Sequence, residues 1–266
     1  MKVYVSADIE GICGICDWNE ADKRHADYAE FRERMTEHVG AACSAALESG
    51  AKEVWVKDAH GSGRNLLADE LPAPTRLIRG WSGHPFGMVQ ELDESFAAAM
   101  FVGYHARAGS NGNPLAHTWS SSAIAEFRVN DEPVSEFRLH AWAAASVGVP
   151  VVLVSGDEAI CAEAHAASPG IVTVPVMRGR GASSVSLHPA RACDALEAGV
   201  RTALTSDLHL CLLKLPTEFA IELHYKDARM AYRKSWYPGA KLETATVVTF
   251  ATTEIFELLR LTQFAV

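Results

Sequence analysis

From residue 2 to about residue 205 the chain alternates β-rich and helix-patterned segments, and this rhythm restricts the fold more than any other feature. "KVYVSADIE" alternates apolar and polar positions and predicts a strand. "YAEFRERMTEHVGAACSAALESG" has helical spacing, with Gly50 as its stop. "KEVWVKDAH" predicts a second strand, and "ELDESFAAAMFVGYH" a helix or loop running into a third. "VSEFRLHAWAAASVG" predicts a helix with Ser135 as N-cap. "VPVVLVSGD" predicts a buried strand followed by the helix "DEAICAEAHAAS", and "GIVTVPV" with "HPARACDALEAGVRTAL" repeats the unit. Such alternation predicts an α/β fold: a mainly parallel sheet with helices on both faces. Beyond residue 205 the rhythm changes. "EFAIELHY" and "ETATVVTFAT" predict strands and "TEIFELLRLTQF" a helix. The expected division is an α/β domain over 1–205 and a small α+β annex over 206–266.

Hydrophobic residues make up 48% and charged residues 21% of the 266, enough apolar content for a full core and too little charge for disorder. A net charge of −9, with no run of Lys or Arg, argues against nucleic acid or an anionic membrane as partner. The N-terminus reaches an acid at Asp8, which is not the apolar stretch of a signal peptide. No apolar run approaches the ~20 residues of a membrane span. Six cysteines at irregular spacings do not form a disulfide framework, so the expectation is a cytoplasmic protein with reduced thiols.

The chemistry concentrates where strands end. Asp8 and Glu10, two apart on a predicted strand, share a face roughly 7 Å apart. The second strand runs into Asp58 and His60, the third into His105, and His117 follows in the loop "NPLAHTWSS". Glu136 stands in the first turn of a helix, where the dipole favours a carboxylate. Open α/β sheets bind ligands beyond the carboxyl ends of their strands. Three acids and two histidines at such ends suit two zinc-like cations, which a carboxylate can bridge at ~3.5–4 Å. Asp58 is expected to orient a histidine rather than to ligate. "SGDE" at 155–158 reads as a helix cap, and the six tryptophans as core or interface anchors.

"CGIC" at 13–16 raises two rivals. A redox Cys-x-x-Cys opens a helix after a strand, where the thiol pKa falls. Here it sits in a Gly- and Ile-rich turn with Asp17 adding negative charge. A structural zinc needs a second Cys or His pair at short spacing, and none follows. The cysteines are read as incidental. A flavodoxin-like redox protein would need a phosphate-binding loop, of which "GSGRNL" at 61–66 is a poor version.

The same blocks resemble the M55 metallopeptidases, the D-aminopeptidases first described as dipeptide-transport proteins. "SADIEGICG" is similar to that family's Ser-x-Asp-x-Glu-Gly signature. "VKDAHGSGRNL", "GYHARAG", "AHTWSS" and "VNDEPVSEFRLHA" follow its later blocks in order. The resemblance implies a centre of two zinc ions per subunit. Asp8 would bridge them, Glu10 and His60 would complete one site, and His105 and Glu136 the other. His117 would be a catalytic histidine that holds no metal. The implied activity is release of N-terminal residues, D-residues preferred, from short peptides or small amides. The implied assembly is a ring-shaped homo-oligomer. A metal-dependent peptide-binding protein without turnover is the alternative, against which a poised non-ligand His117 speaks. Two departures from the pattern stand out. Cys13 and Cys16 occupy positions where small or apolar residues are usual, and "RGRGASSVSLHP" at 178–189 lacks a lysine expected near Ser186, so a preference for short D-peptides is weakened if that stretch lines the pocket.

Overall fold

The computed structural model describes residues 1–266. The first part contains β1 (Lys2–Ala7), α1 (Trp18–Ala21), α2 (Tyr28–Glu48), β2 (Glu53–Asp58), β3 (Thr75–Ile78) and β4 (Ala98–Tyr104). Then come β5 (Ile124–Val129), β6 (Glu132–Pro133), α3 (Glu136–Ser146), β7 (Val151–Asp157), α4 (Glu158–Ala167), β8 (Val172–Arg180), β9 (Ser183–Ser186) and α5 (Pro189–Thr205). The chain ends with β10 (Phe219–Tyr225), α6 (Ala228–Lys234), β11 (Lys241–Leu242), β12 (Val247–Thr252) and α7 (Ile255–Ala265).

The main sheet has the order β3-β2-β1-β4-β7-β8-β9, parallel except for the last pair. Every residue of β4 and β7 is buried, which requires cover on both faces, and the helices supply it. α2 and α5 pack together on the sheet, while α3 packs on β4 and β7 and reaches α7. Strand order reverses between β1 and β4: the chain winds outward through β2 and β3, then returns to wind the other way through β7 and β8. The carboxyl ends of β1 and β4 therefore flank the topological switch point, where doubly wound sheets bind ligands.

A second, antiparallel sheet has the order β11-β12-β10-β5-β6. It draws strands from both sides of residue 206, because Ile124–Val129 pair with β10. Of the two alternatives for residues 91–97, helix or loop, the chain takes the loop into β4, and one local expectation changes. The first strand stops at Ala7, so Asp8 to Glu10 lie in the turn beyond it and not on a pleated face. That turn closes through the Ile12 amide on the Ile9 carbonyl at 3.1 Å. No helix is long and apolar enough to cross a membrane.

Candidate active site

The close crossing of two chain segments sets the floor of the site. The Asp8 amide donates to the Val102 carbonyl and the Gly11 amide to the Gly103 carbonyl, both at 2.8 Å. A Cβ on Gly11 would lie 1.8 Å from the Tyr104 carbonyl oxygen, and one on Gly103, at φ +75°, would lie 2.2 Å from the Asp8 carbonyl oxygen. Only glycines let β1 and β4 release their following residues this close together.

Asp8, Glu10, His60, His105, His117 and Glu136 converge here, though 128 residues separate the first from the last. Asp8 Oδ1 lies 3.4 Å from His60 Nδ1, and Asp8 Oδ2 lies 3.5 Å from His105 Nε2. Glu10 approaches His60 Nδ1 at 3.0 Å, and Glu136 Oε2 approaches His105 Nε2 at 3.2 Å. His117 Nε2 stands further off, 3.9 Å from Glu10 and 3.7 Å from Glu136, with its ring stacked on His105 at 4.3 Å between centroids.

Each imidazole donates its outer N–H to a backbone carbonyl. His60 Nε2 donates to Ala21 at 2.8 Å, His105 Nδ1 to Ala106 at 3.0 Å, and His117 Nδ1 to Leu115 at 2.9 Å. In each ring the other nitrogen then turns its lone pair toward the carboxylates, the arrangement that metal-ligating histidines adopt. His105 Nε2 is buried with no hydrogen-bond partner at all. No lysine or arginine lines this cavity to balance three buried acids. The donor atoms of Asp8, Glu10 and His60 lie within 4.8 Å of one another, as do those of Asp8, His105 and Glu136. Nitrogen and oxygen donors of this kind, converging around the unpartnered His105 Nε2, fit zinc.

Burial opposes charge on His60 and His105, but the facing carboxylates of Glu10, Glu136 and Asp8 push both imidazoles well above their ordinary value. Burial would also raise the Asp8 carboxyl, yet the facing imidazoles of His105 and His60 hold it well below the usual range. Glu136 is lowered likewise, against its burial, by His105 and His117.

A supporting network places these groups. Asp58 does not touch the His60 ring, contrary to expectation. It accepts from Asn65 N at 2.5 Å, Asn65 Nδ2 at 2.7 Å and Leu66 N at 2.9 Å, while Asn65 Nδ2 also donates to the His60 carbonyl at 2.7 Å. It therefore shapes the backbone that carries His60. Ser135 caps α3 by accepting from Arg138 N at 3.1 Å, which presents Glu136 in the first turn. Asp157 caps α4 and also accepts from the Ala106 amide at 2.6 Å. Asn113, which sequence reasoning passed over, is buried and donates to the Glu10 carbonyl at 2.8 Å and to Asp157 at 2.9 Å. The short α1 was also missed, although Asp17 and Glu20 form a capping box readable in "DWNE".

The cysteines take no part. All six are free. Cys13 Sγ lies 3.3 Å from His38 Nε2, and burial pushes the Cys13 and Cys16 thiols up, opposite to a redox pair. None of residues 178–189 lines the cavity, and Ser186 Oγ accepts from the Gly14 amide at 2.8 Å. The cavity lined by Asp8, Glu10, His60, His117 and Glu136 measures about 410 Å³. A larger one of about 610 Å³, beside Arg107, Arg138 and Glu163, touches none of the six, and convergent polar groups decide in favour of the smaller.

The arrangement suits polarisation of a carbonyl and proton transfer beside it, and known proteins share both fold and sequence. The M55 peptidase family model, described as D-aminopeptidase, matches residues 1–264. A D-aminopeptidase of Bacillus subtilis (strain 168) is 33% identical over 259 residues, which make up 97% of this chain and 93% of that protein. The solved zinc-dependent D-aminopeptidase DppA from Bacillus subtilis, described as a self-compartmentalizing protease, matches with a TM-score of 0.92 and 31% identity. That match covers 100% of this chain and 98% of the other. With a family match over nearly its whole length and two relatives of the same description, the chain belongs to the M55 family of D-aminopeptidases.

Proposed function

We propose that the chain is a zinc aminopeptidase with two metal ions per subunit, cleaving the N-terminal amide bond of short peptides or small amides. The observation that carries the two-metal reading is the posture of Asp8. One of its oxygens faces His60 and the other His105, so a single carboxylate serves two donor groups. Glu10 and His60 would complete one site, His105 and Glu136 the other. Three carboxylates against two divalent cations leave one positive charge, which a hydroxide would balance.

Zinc bound there supplies a water that ionises near neutral pH and a Lewis acid for the scissile carbonyl. The chain's own residues do the rest. His117 keeps Nδ1–H on the Leu115 carbonyl, so Nε2 is the atom that takes or gives the proton. Trp18 meets the His117 ring edge-on at 5.2 Å between centroids and restricts its swing.

The preference for D-residues is supported by the names of the family and of both relatives. A homo-oligomeric assembly is supported by the description of the solved relative as self-compartmentalizing, and a ring is the form proposed for it. Free thiols throughout support a cytoplasmic setting. The test is a screen of free-amine D- and L-dipeptides and amino-acid amides with zinc-loaded protein. Release of the N-terminal residue, faster from D-substrates and absent from N-acetylated ones, is expected. Tight binding without release would instead make the chain a peptide binder.

A further inference from the structure

We propose that Trp18, Trp81 and Trp119 wall the pocket for the side chain of the substrate's N-terminal residue, and that this chain therefore selects large apolar and aromatic residues there over alanine. The inference rests on the aminopeptidase reading and adds its substrate class. In that reaction the carbonyl of the first residue must lie at the carboxylate–histidine centre. Its side chain, one bond from that carbonyl, then falls within the same cavity. Apart from five of the converging residues, that cavity is lined chiefly by the three indoles and Met88, with Ser120, Ser121 and Gln263 as the polar side chains.

These tryptophans are not the core anchors that composition suggests. Trp18 and Trp81 are 39% and 40% exposed, leaving apolar area for a ligand to cover. All three are nevertheless held. Trp81 donates Nε1–H to the Gly61 carbonyl at 2.8 Å, and the Lys57 ammonium sits 3.9 Å over its ring. Lys57 is itself buried and donates to the Asp58 and Gly80 carbonyls at 2.6 and 2.7 Å, so it cannot swing away without losing both. Trp18 opens the capped helix α1, and its ring meets that of His117 edge-on at 5.2 Å between centroids. Trp119 adopts φ +64°, unusual for a bulky residue, with its amide donated to Glu136 Oε1 at 2.6 Å and its ring against His140. Rigid aromatic walls lose little entropy on binding, so area covered converts into selectivity. A methyl side chain covers almost none of it. A phenyl ring can lie against two walls at once.

The test uses alaninamide and phenylalaninamide, D and L forms of each, on zinc-loaded protein. A kcat/KM ratio favouring the phenyl substrate by about 10-fold or more is expected. Trp81→Ala should collapse that ratio, and Trp81→Phe should restore most of it. Ethylamine and 2-phenylethylamine, which carry no cleavable bond, provide a second readout by quenching of indole fluorescence, with both variants checked for an intact melting transition. Tighter binding of 2-phenylethylamine, lost in Trp81→Ala, supports the pocket even if neither amide is cleaved, and in that case only the aminopeptidase reading falls. Equal kcat/KM for both amides, or equal binding of the two amines, overturns the pocket while leaving the peptidase assignment intact.

Discussion

Asn113 ties the two halves of the site together, and its removal should be felt in stability and in turnover. Its Nδ2 donates to the Glu10 carbonyl and to Asp157, and its Oδ1 accepts from the Leu115 amide at 2.8 Å. Asn113→Ala deletes three buried hydrogen bonds and leaves the Glu10 carbonyl and the Leu115 amide unpaired. A buried group left unsatisfied costs about 1–3 kcal/mol, so two of them amount to about 3 kcal/mol after partial relaxation. For a chain of this size that lowers Tm by roughly 6–12 °C. The loss reaches chemistry because the Leu115 carbonyl holds His117 Nδ1. A shift of ~1 Å in a reacting group can cost ~10²-fold. At saturating zinc, kcat of Asn113→Ala should therefore fall by about one to two orders of magnitude. Calorimetry and steady-state kinetics on one preparation read both. Asn113→Asp adds a signature of its own, since it sets a second carboxylate against Asp157, whose carboxyl burial already raises. Two such groups share a proton, so the pair's folded pKa stands above its unfolded value. Its stabilising share is complete below about pH 4 and is lost as pH rises through the folded value. A variant with wild-type Tm and wild-type kcat would refute the coupling role of Asn113.

Three further outcomes are expected. His117→Ala should cut kcat by ~10²–10⁴-fold with zinc content unchanged, whereas His105→Ala should lose zinc and activity together. Equal zinc loss in both would make His117 a ligand. Protein stripped of metal should respond to pH with a definite sign. His60 and His105, raised in the folded state, contribute fully below their ordinary 6.5 and lose that contribution as pH rises through their folded values. Zinc needs the deprotonated ligands, so the gain in Tm on adding zinc should widen from pH 6 to pH 8. A gain that shrinks with pH would contradict this. Replacing Cys13 by Ser and Cys16 by Ala should leave zinc content and turnover within a few-fold, and a large loss of metal would give the thiols a role they lack in the geometry.

What could be read in advance depended on how local its physical signal was. β1, β2, β4 and β7 announce themselves by apolar runs that end in acids or histidines, and α2, α4 and α5 by spacing and caps. The convergence of Asp8, Glu10, His60, His105, His117 and Glu136 was legible through ordered motif blocks, since each residue follows a strand end, loop or helix cap that the pattern marks. The posture was not. Asp8 and Glu10 meet through a turn after Ala7 rather than through strand alternation. Asn113 acts on Glu10 across 103 residues and carries no spacing signature. β5 pairs with β10, far along the chain, so nothing local to "IAEFRV" says which sheet it joins. The tryptophans look alike in composition, and only burial separates Trp142, 7% exposed, from Trp81 at 40%.

Metal stoichiometry bears most directly on the proposed two-zinc centre. Protein purified without chelator and analysed for metals should carry close to two zinc ions per chain, or reach that value on adding zinc. Asp8→Ala, removing the carboxylate shared by both donor groups, should lower occupancy at both positions. A wild-type content near zero that added zinc does not raise, or a content of one that Asp8→Ala leaves unchanged, would contradict the two-metal site.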